Sequence, residues 1–291
     1  MKVKDTSTSS KIMNVIIYTV MVLSLLACLL PFVYMLALSL STPQAIIQRK
    51  VSFWPVGWDT QAYRQIFTYP NFFRAYGNTL FYTIFGTFIA LVMTILFAYP
   101  LSKTCLRGHK ALTKMVVISM YFAGGMIPNY LLVSALNLTG TRLAMLIPFA
   151  INQFNLIILV NFFKALPIEI EEAALIDGLG YFRILPRIIL PLSTAAIATI
   201  GLYYAVFFWN DWFNGLIYLN TRQYPVMLFL RNIVNGTMVL GNSSSASTDT
   251  ASLSISVKSA VIITSTLPII ILYPFLQKYF VKGLTVGSIK G

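Results

Sequence analysis

The sequence predicts an all-α integral membrane protein with six transmembrane helices, and three observations lead to this prediction. Hydrophobic residues make up 57% of the 291 residues and charged residues only 10%, with a mean hydropathy of +0.77. A soluble domain is about half apolar and about one quarter charged. The apolar residues also fall in runs near the roughly 20-residue length of a membrane-crossing helix. Short polar segments, several of them basic, separate these runs.

The predicted spans follow the apolar runs, at 12–40, 80–101, 115–136, 143–163, 193–219 and 257–280. The first run resembles a lipoprotein signal where the letters LLAC end at Cys28. A signal peptide's apolar region is only about 7–15 residues long, however, and this run continues to Leu40, so it is expected to be the first span. Gly124, Gly125 and Pro128 predict a kink or a break in the third span.

The net charge of +13 does not indicate a nucleic-acid-binding protein, because the basic residues lie in short loops between apolar runs. Six spans place both termini on one side of the membrane. With the termini and the loops after spans two and four on that side, it carries 13 Lys and Arg, against 8 elsewhere. The positive-inside rule then predicts that these segments are cytoplasmic.

Cysteine and histidine usage argues against catalysis or metal binding. Cys28 and Cys105 lie far apart, and His109 is the single histidine, so a metal site or a Cys/His nucleophile lacks its parts. The sequence also has no GxxxxGK[ST] loop to cradle nucleotide phosphates. We therefore expect a chain that is not an enzyme and that has no catalytic or metal-binding residues and no bound cofactor of its own.

The polar segment between spans four and five contains a predicted short helix, 167–178. Pro167 suits a first helical turn, and the acids that follow it meet the positive end of the helix dipole. Gly178 predicts the end of the helix, because the left-handed conformation there favours glycine. Helical spacing predicts two different faces. One face has small side chains and contains Ile170, Ala173, Ala174 and Asp177. The other combines acidic and apolar side chains and contains Ile168, Glu171, Glu172 and Leu175. This pattern indicates docking to a protein rather than to a lipid surface, where a lysine-rich face is expected.

Seven positions of this segment match the EAA motif of bacterial ABC importer permeases: Glu172-Ala173-Ala174, Gly178, Ile188 and Leu190-Pro191. The stretch Trp209-Asn210-Asp211-Trp212-Phe213 and the C-terminal residues 279–291 also resemble maltose-type permeases. With Ser52-Phe53-Trp54-Pro55 and Gln223-Tyr224-Pro225, the chain looks most similar to the polysaccharide or oligosaccharide branch of that carbohydrate family. The resemblance covers nearly the whole chain, and the EAA segment is its most specific part.

The resemblance implies a type I ABC importer permease fold, with 1–291 as a single transmembrane domain in the bacterial cytoplasmic membrane and both termini cytoplasmic. It implies a coupling helix at 167–178 within the loop 164–191, and a cytoplasmic tail at 281–291. The implied partners are a homologous second permease, two ATPase subunits that hold ATP and Mg²⁺, and an extracytoplasmic solute-binding protein. The residues implied in ATPase coupling are Glu171, Glu172, Ala173, Ala174, Asp177, Gly178, Ile188, Leu190 and Pro191.

Candidates for the carbohydrate pathway are aromatic, amide and acidic side chains of the predicted spans: Tyr204, Trp209, Asn210, Asp211, Trp212, Asn152, Gln153 and Asn155. Aromatic rings stack on sugars, and amides or carboxylates bond hydroxyl groups. The alternatives are packing hydrogen bonds for the amides and a structural acid at a helix end for Asp211. A secondary, ATP-independent transporter is the alternative function, but it predicts ionisable residues at mid-membrane and inverted repeats. The spans contain almost no charge and no convincing repeat.

Overall fold

The computed structural model describes residues 8–69, 71–235 and 255–271, and the regular structure of these residues is helical apart from one isolated antiparallel bridge between Ser41 and Trp58. The chain forms two compact units. Among the described residues, one unit contains 8–69, 232–235 and 255–267, and the other contains 71–231 and 268–271. The Ser/Thr-rich part of the predicted loop, Asn242 to Ser252, and the tail 281–291 lie outside the described residues.

The first unit begins with the long apolar helix α1 (Thr8–Ser39). None of its most apolar stretch is buried inside the chain, so these side chains can face lipid. The short helix α2 (Pro43–Ile47) starts at a proline, which suits a first turn, and it packs back on the end of α1. Helix α3 (Gln61–Thr68) is attached by a hydrogen bond of 2.8 Å between the hydroxyls of Tyr63 and Ser39.

The second unit is organised around α4 (Phe72–Ser102), which packs along α7 and α11. The helices after α4 in this unit are α5 (His109–Tyr121), α6 (Met126–Ala135), α7 (Gln153–Lys164), α8 (Ile168–Ile176), α9 (Tyr181–Ile184), α10 (Leu190–Leu192), α11 (Thr194–Asn210) and α12 (Phe213–Tyr218). Later in the chain come α13 (Val226–Val234), which begins in this unit, and α14 (Ile255–Ile271), most of which belongs to the first unit. A π-helical segment, Leu185–Ile189, joins α9 to α10, and short 3₁₀ turns cover Arg142–Met145 and Thr221–Gln223.

Close packing between α4 and α11 depends on glycine. A Cβ atom at Gly86 of α4 would lie 2.7 Å from the ring of Phe208, and one at Gly201 of α11 would lie 3.1 Å from Leu91. Small residues at a helix interface let two backbones approach closely. The two helices therefore meet at short range along the middle of the unit.

Within the described part of the chain, two helices, α1 and α4, are long and apolar enough to cross a membrane, and the number rises to five if each strongly bent helix pair is one span. The shorter apolar helix α14 lies within the sixth predicted span, whose residues beyond 271 are outside the described part of the chain. The count of six spans stays a prediction.

Several predicted spans differ from the helices that form. Helix α4 begins at Phe72 rather than at residue 80. The third span is divided into α5 and α6, bent by 114°, since Gly125 adopts a φ of +93° and breaks the helix. The helix of the fourth span begins only at Gln153, after a turn-rich stretch that contains Pro148. The fifth span is divided into α11 and α12 at Asp211 and Trp212.

Candidate functional site

Helix α8 is the central element of the first candidate site, and its ends are set by the local sequence. Pro167 immediately precedes the helix, and two acids occupy the first turn. At the other end Gly178 has a φ of +80°. The Gly178 and Leu179 amides donate to the carbonyls of Leu175 and Ala174, each at 3.0 Å, which is the Schellman pattern. The helix therefore stops at Ile176, slightly shorter than the predicted 167–178.

The two faces of α8 are not those expected from simple helical spacing. Glu171 and Ala174 point inward and are buried, whereas Glu172 and Ala173 are exposed. The predicted grouping was wrong because it placed both glutamates on one face and both alanines on the other. Adjacent residues on a helix are about 100° apart, so the packing against α4 and α7 separates each pair.

The carboxylate of Glu171 is bound through both of its oxygens by residues near the end of α4. The Tyr99 hydroxyl donates to Oε1 at 2.6 Å, and the Lys103 ammonium forms an ion pair with Oε2. The Lys103 nitrogen also lies 5.0 Å from the centroid of the Tyr99 ring, while that ring packs edge-on against Phe163 of α7, with centroids 6.4 Å apart. Helices α4, α7 and α8 therefore meet at one buried polar contact.

The outer surface of α8 has both acidic and apolar side chains. Glu172 and Asp177 are exposed, and Ile168 and Ile176 expose 64% and 87% of their surface. Large exposed apolar residues beside charges are typical of a surface that docks to another protein.

The second half of the EAA segment lies on irregular helix. Ile188 is in the π-helical stretch and packs against the buried core, while Leu190 and Pro191 are in the short helix α10. Pro186 and Pro191 have no backbone N–H, so the α-helical hydrogen-bond pattern is interrupted and the Leu190 amide bonds the Leu185 carbonyl, five residues back. Helix α10 ends at Leu192, and after Ser193 the axis turns by 85° into α11.

A second candidate site is a cavity of about 540 Å³ in the second unit. It brings together four predicted pathway residues: Asn152, Gln153, Asn155 and Tyr204. The other polar and aromatic lining residues were not predicted, and they are Phe149, Phe154, Tyr203, Phe207 and Asn214. Phe207 is one helical turn from Tyr204, so the i+3 spacing of aromatic residues in this run was a usable signal.

Hydrogen bonds already occupy several polar atoms around the cavity. The Tyr204 hydroxyl accepts a hydrogen bond from the backbone N–H of Asn152 at 2.9 Å. It forms a second hydrogen bond, of 2.7 Å, with the hydroxyl of Thr94. The Asn152 side chain caps α7 by accepting from the amide of Asn155 at 3.1 Å. These contacts connect the start of α7 to α4 and α11.

The remaining predicted pathway residues do not line this cavity. Trp209 is buried against the ring of Tyr76. The side-chain amide of Asn210 donates a hydrogen bond to the backbone carbonyl of Val206. Asp211 is 8% exposed and accepts from the backbone and side-chain nitrogens of Asn214, at 3.1 and 2.9 Å.

Asp211 therefore accepts two hydrogen bonds from the first turn of α12, although it lies one residue before the N-cap Trp212 and is buried rather than hydrated. Trp212 lies beneath the guanidinium of Arg231, 4.1 Å from its ring centroid. Since Asn214 lines the cavity, Asp211 contributes to the cavity wall through this neighbour.

Comparisons with known proteins match almost the whole chain, although no family model matches it. Protein LplC of Bacillus subtilis is 42% identical over 268 residues, 90% of this chain and 90% of that protein. The polygalacturonan/rhamnogalacturonan transport system permease protein YtcP of the same organism is 38% identical over 284 residues, 97% of this chain and 99% of that protein.

The fold also matches a solved structure. It is similar to a chain of a bacterial ABC transporter involved in the import of the acidic polysaccharide alginate. The TM-score is 0.85 at 33% identity, and the match covers 94% of this chain and 98% of that one. This chain belongs to the permease subunits of ABC transporters that import carbohydrates.

Proposed function

We propose that this permease imports an oligosaccharide in a complex with a homologous second permease, two ATPase subunits and an extracytoplasmic binding protein. The observation that carries the proposal is the match to YtcP over 97% of the chain. That relative is named for polygalacturonan and rhamnogalacturonan transport, and the solved transporter for alginate import. Fragments of a polysaccharide are the solute class that these names share.

The cavity beside α7 and α11 supports a carbohydrate solute. Its lining combines the amides of Gln153, Asn155 and Asn214 with aromatic rings. Amide groups match sugar hydroxyls as both donors and acceptors, and flat aromatic faces provide apolar contact to sugar rings. The lining residues include no lysine or arginine, so we assign this cavity the recognition of hydroxyl groups rather than of carboxylates.

We propose that α8 is the coupling helix, inserted by its outer surface into an ATPase subunit. The support is its exposed Glu172, Ala173 and Asp177 beside large apolar side chains, together with its place in the EAA segment. Ile188, Leu190 and Pro191 follow on the irregular helix that leads into α11. The basic loops support a bacterial cytoplasmic-membrane protein with α8 and both termini in the cytoplasm. The relatives' names do not favour an ATP-independent carrier.

The assembly is tested by purification and reconstitution. The tagged permease should bring down an ATPase and a second permease, and the complex in proteoliposomes should take up oligosaccharides only with ATP inside and binding protein outside. Uptake of neutral and of uronate-containing oligosaccharides, measured in parallel, would show whether the solute is neutral or acidic. Uptake by the isolated chain without ATP would refute the proposal.

Gln153→Ala should weaken solute handling without affecting the fold. Removing one amide that lines the cavity should raise the half-saturating solute concentration about two- to tenfold, the effect of about one net hydrogen bond. Uptake at several solute concentrations and thermal unfolding in detergent measure the two properties.

Tyr204→Phe contrasts with Gln153→Ala, because it should affect the stability of the fold. It removes the hydrogen-bond partner of the Asn152 backbone N–H and of the Thr94 hydroxyl. The free energy of unfolding should fall by about 1–3 kcal/mol, as expected when buried polar groups are left unsatisfied. Normal uptake by the Gln153 variant would remove that residue from the solute pathway.

Gly178→Val should uncouple transport from ATP hydrolysis. Valine is strained at a φ of +80°, although no atom lies within 4 Å of the position its Cβ would take, so the strain lies in the backbone at the end of α8. We expect normal membrane insertion and a loss of solute transported per ATP hydrolysed.

Gly178→Asn is the matched control, because asparagine tolerates the left-handed conformation. It should retain more coupling than the valine variant. Equal, undiminished uptake by both variants would contradict a coupling role for the end of α8.

A further inference from the structure

Tyr99, Lys103 and Glu171, here called the Glu171 cluster, connect α8 directly to the end of α4. We propose that these three residues position the coupling helix on α4, so that a displacement of α8 by the ATPase is passed to α4. The proposal rests on the proposed function of α8 and deepens it by separating the roles of its two adjacent glutamates.

Glu171 is not available to a partner. Its two oxygens are bound by Tyr99 and Lys103, and the residue is only 7% exposed. Glu172, the next residue, is exposed. The geometry therefore assigns Glu172 to the outer, partner-facing surface and Glu171 to the internal attachment of α8.

The attachment to α4 supplements the backbone link to α7. Helices α7 and α8 are joined by the short connection Ala165–Pro167 and bent by 71°. Such a connection alone leaves the far part of α8 free to pivot. The Glu171 cluster adds a second point of attachment, and Ala174, one turn further along, packs in the same buried cluster as Tyr99 and Phe163.

The chemistry of the cluster makes this attachment stiff. A carboxylate removed from water is stable only when it is paired and hydrogen-bonded, and removal of one partner leaves a buried charge unmatched. The phenol and the ammonium each use one oxygen, and the Lys103 nitrogen lies over the Tyr99 ring. Sliding α8 along α4 would break these contacts together.

Helix α4 is suited to receive the movement. It is 31 residues long and packs along both α7 and α11, and through Thr94 it contacts Tyr204 at the cavity. A displacement at Tyr99 is therefore applied to the same helix that borders the proposed solute site.

The test uses the assembled transporter in proteoliposomes. Lys103→Glu places a second carboxylate against Glu171, and should lower solute transported per ATP about tenfold, within the range of typical coupling free energies. The ATPase subunits should stay bound, because the outer surface of α8 is unchanged. Combining Lys103→Glu with Glu171→Lys restores the opposite charges and should recover coupling to within about threefold of the starting protein.

Lys110→Glu is the matched control, since Lys110 is exposed in the same basic region, and its solute-per-ATP ratio should not change. If Lys103→Glu fails to accumulate, Tyr99→Phe decides, because it removes one hydroxyl and keeps every charge. Normal coupling in an assembled Lys103→Glu or Tyr99→Phe transporter, or no recovery in the charge-exchanged protein, would overturn the proposal. Failure of the proposed function would instead appear as absent ATP-dependent uptake in the unsubstituted complex.

Discussion

Burial of the Glu171 carboxylate is the constraint on which the arrangement of α8 depends. A charge in that position needs partners for both oxygens, and α4 supplies them from Tyr99 and Lys103. The helix is consequently held in one orientation, with Ala174 inward and Glu172 outward. A short helix with few buried side chains would otherwise have little to fix its rotation. The same contact that satisfies the charge therefore determines which surface of the helix is exposed.

Helix α4 connects the two candidate sites of the second unit. Near its end it holds α8, and further back Gly86 admits the ring of Phe208, which brings α11 close. Thr94 bonds Tyr204 in the wall of the cavity. Since close-packed interiors transmit displacement rather than absorb it, a helix with these contacts suits a transport permease whose helices must move together.

Local chemistry made part of this architecture predictable. Pro167 and Gly178 bracket α8 because their conformational preferences act within a few residues, and the break at Gly125 has the same origin. The partners of Glu171 lie 68 and 72 residues away in the chain, so no local pattern indicated its burial. The cavity shows the same division: Asn152, Gln153, Asn155 and Tyr204 were predicted as polar or aromatic residues of spans, but their convergence depends on how α7 packs on α11. The hydrogen bonds between Asp211 and the first turn of α12 were not predictable, because the sequence did not indicate the division between α11 and α12.

Whether α8 and α4 move as one body can be measured directly. Nitroxide labels at the exposed residues Ile176 and Phe97, in a protein whose exposed Cys28 and Cys105 are replaced by serine, report the separation between the two helices by pulsed electron paramagnetic resonance. If the Glu171 cluster holds the two helices together, the distance distribution is the same in the assembled transporter without nucleotide and with ATP trapped. A shift of several ångströms between the two states would show that α8 moves independently of α4 and would contradict a rigid attachment through Glu171.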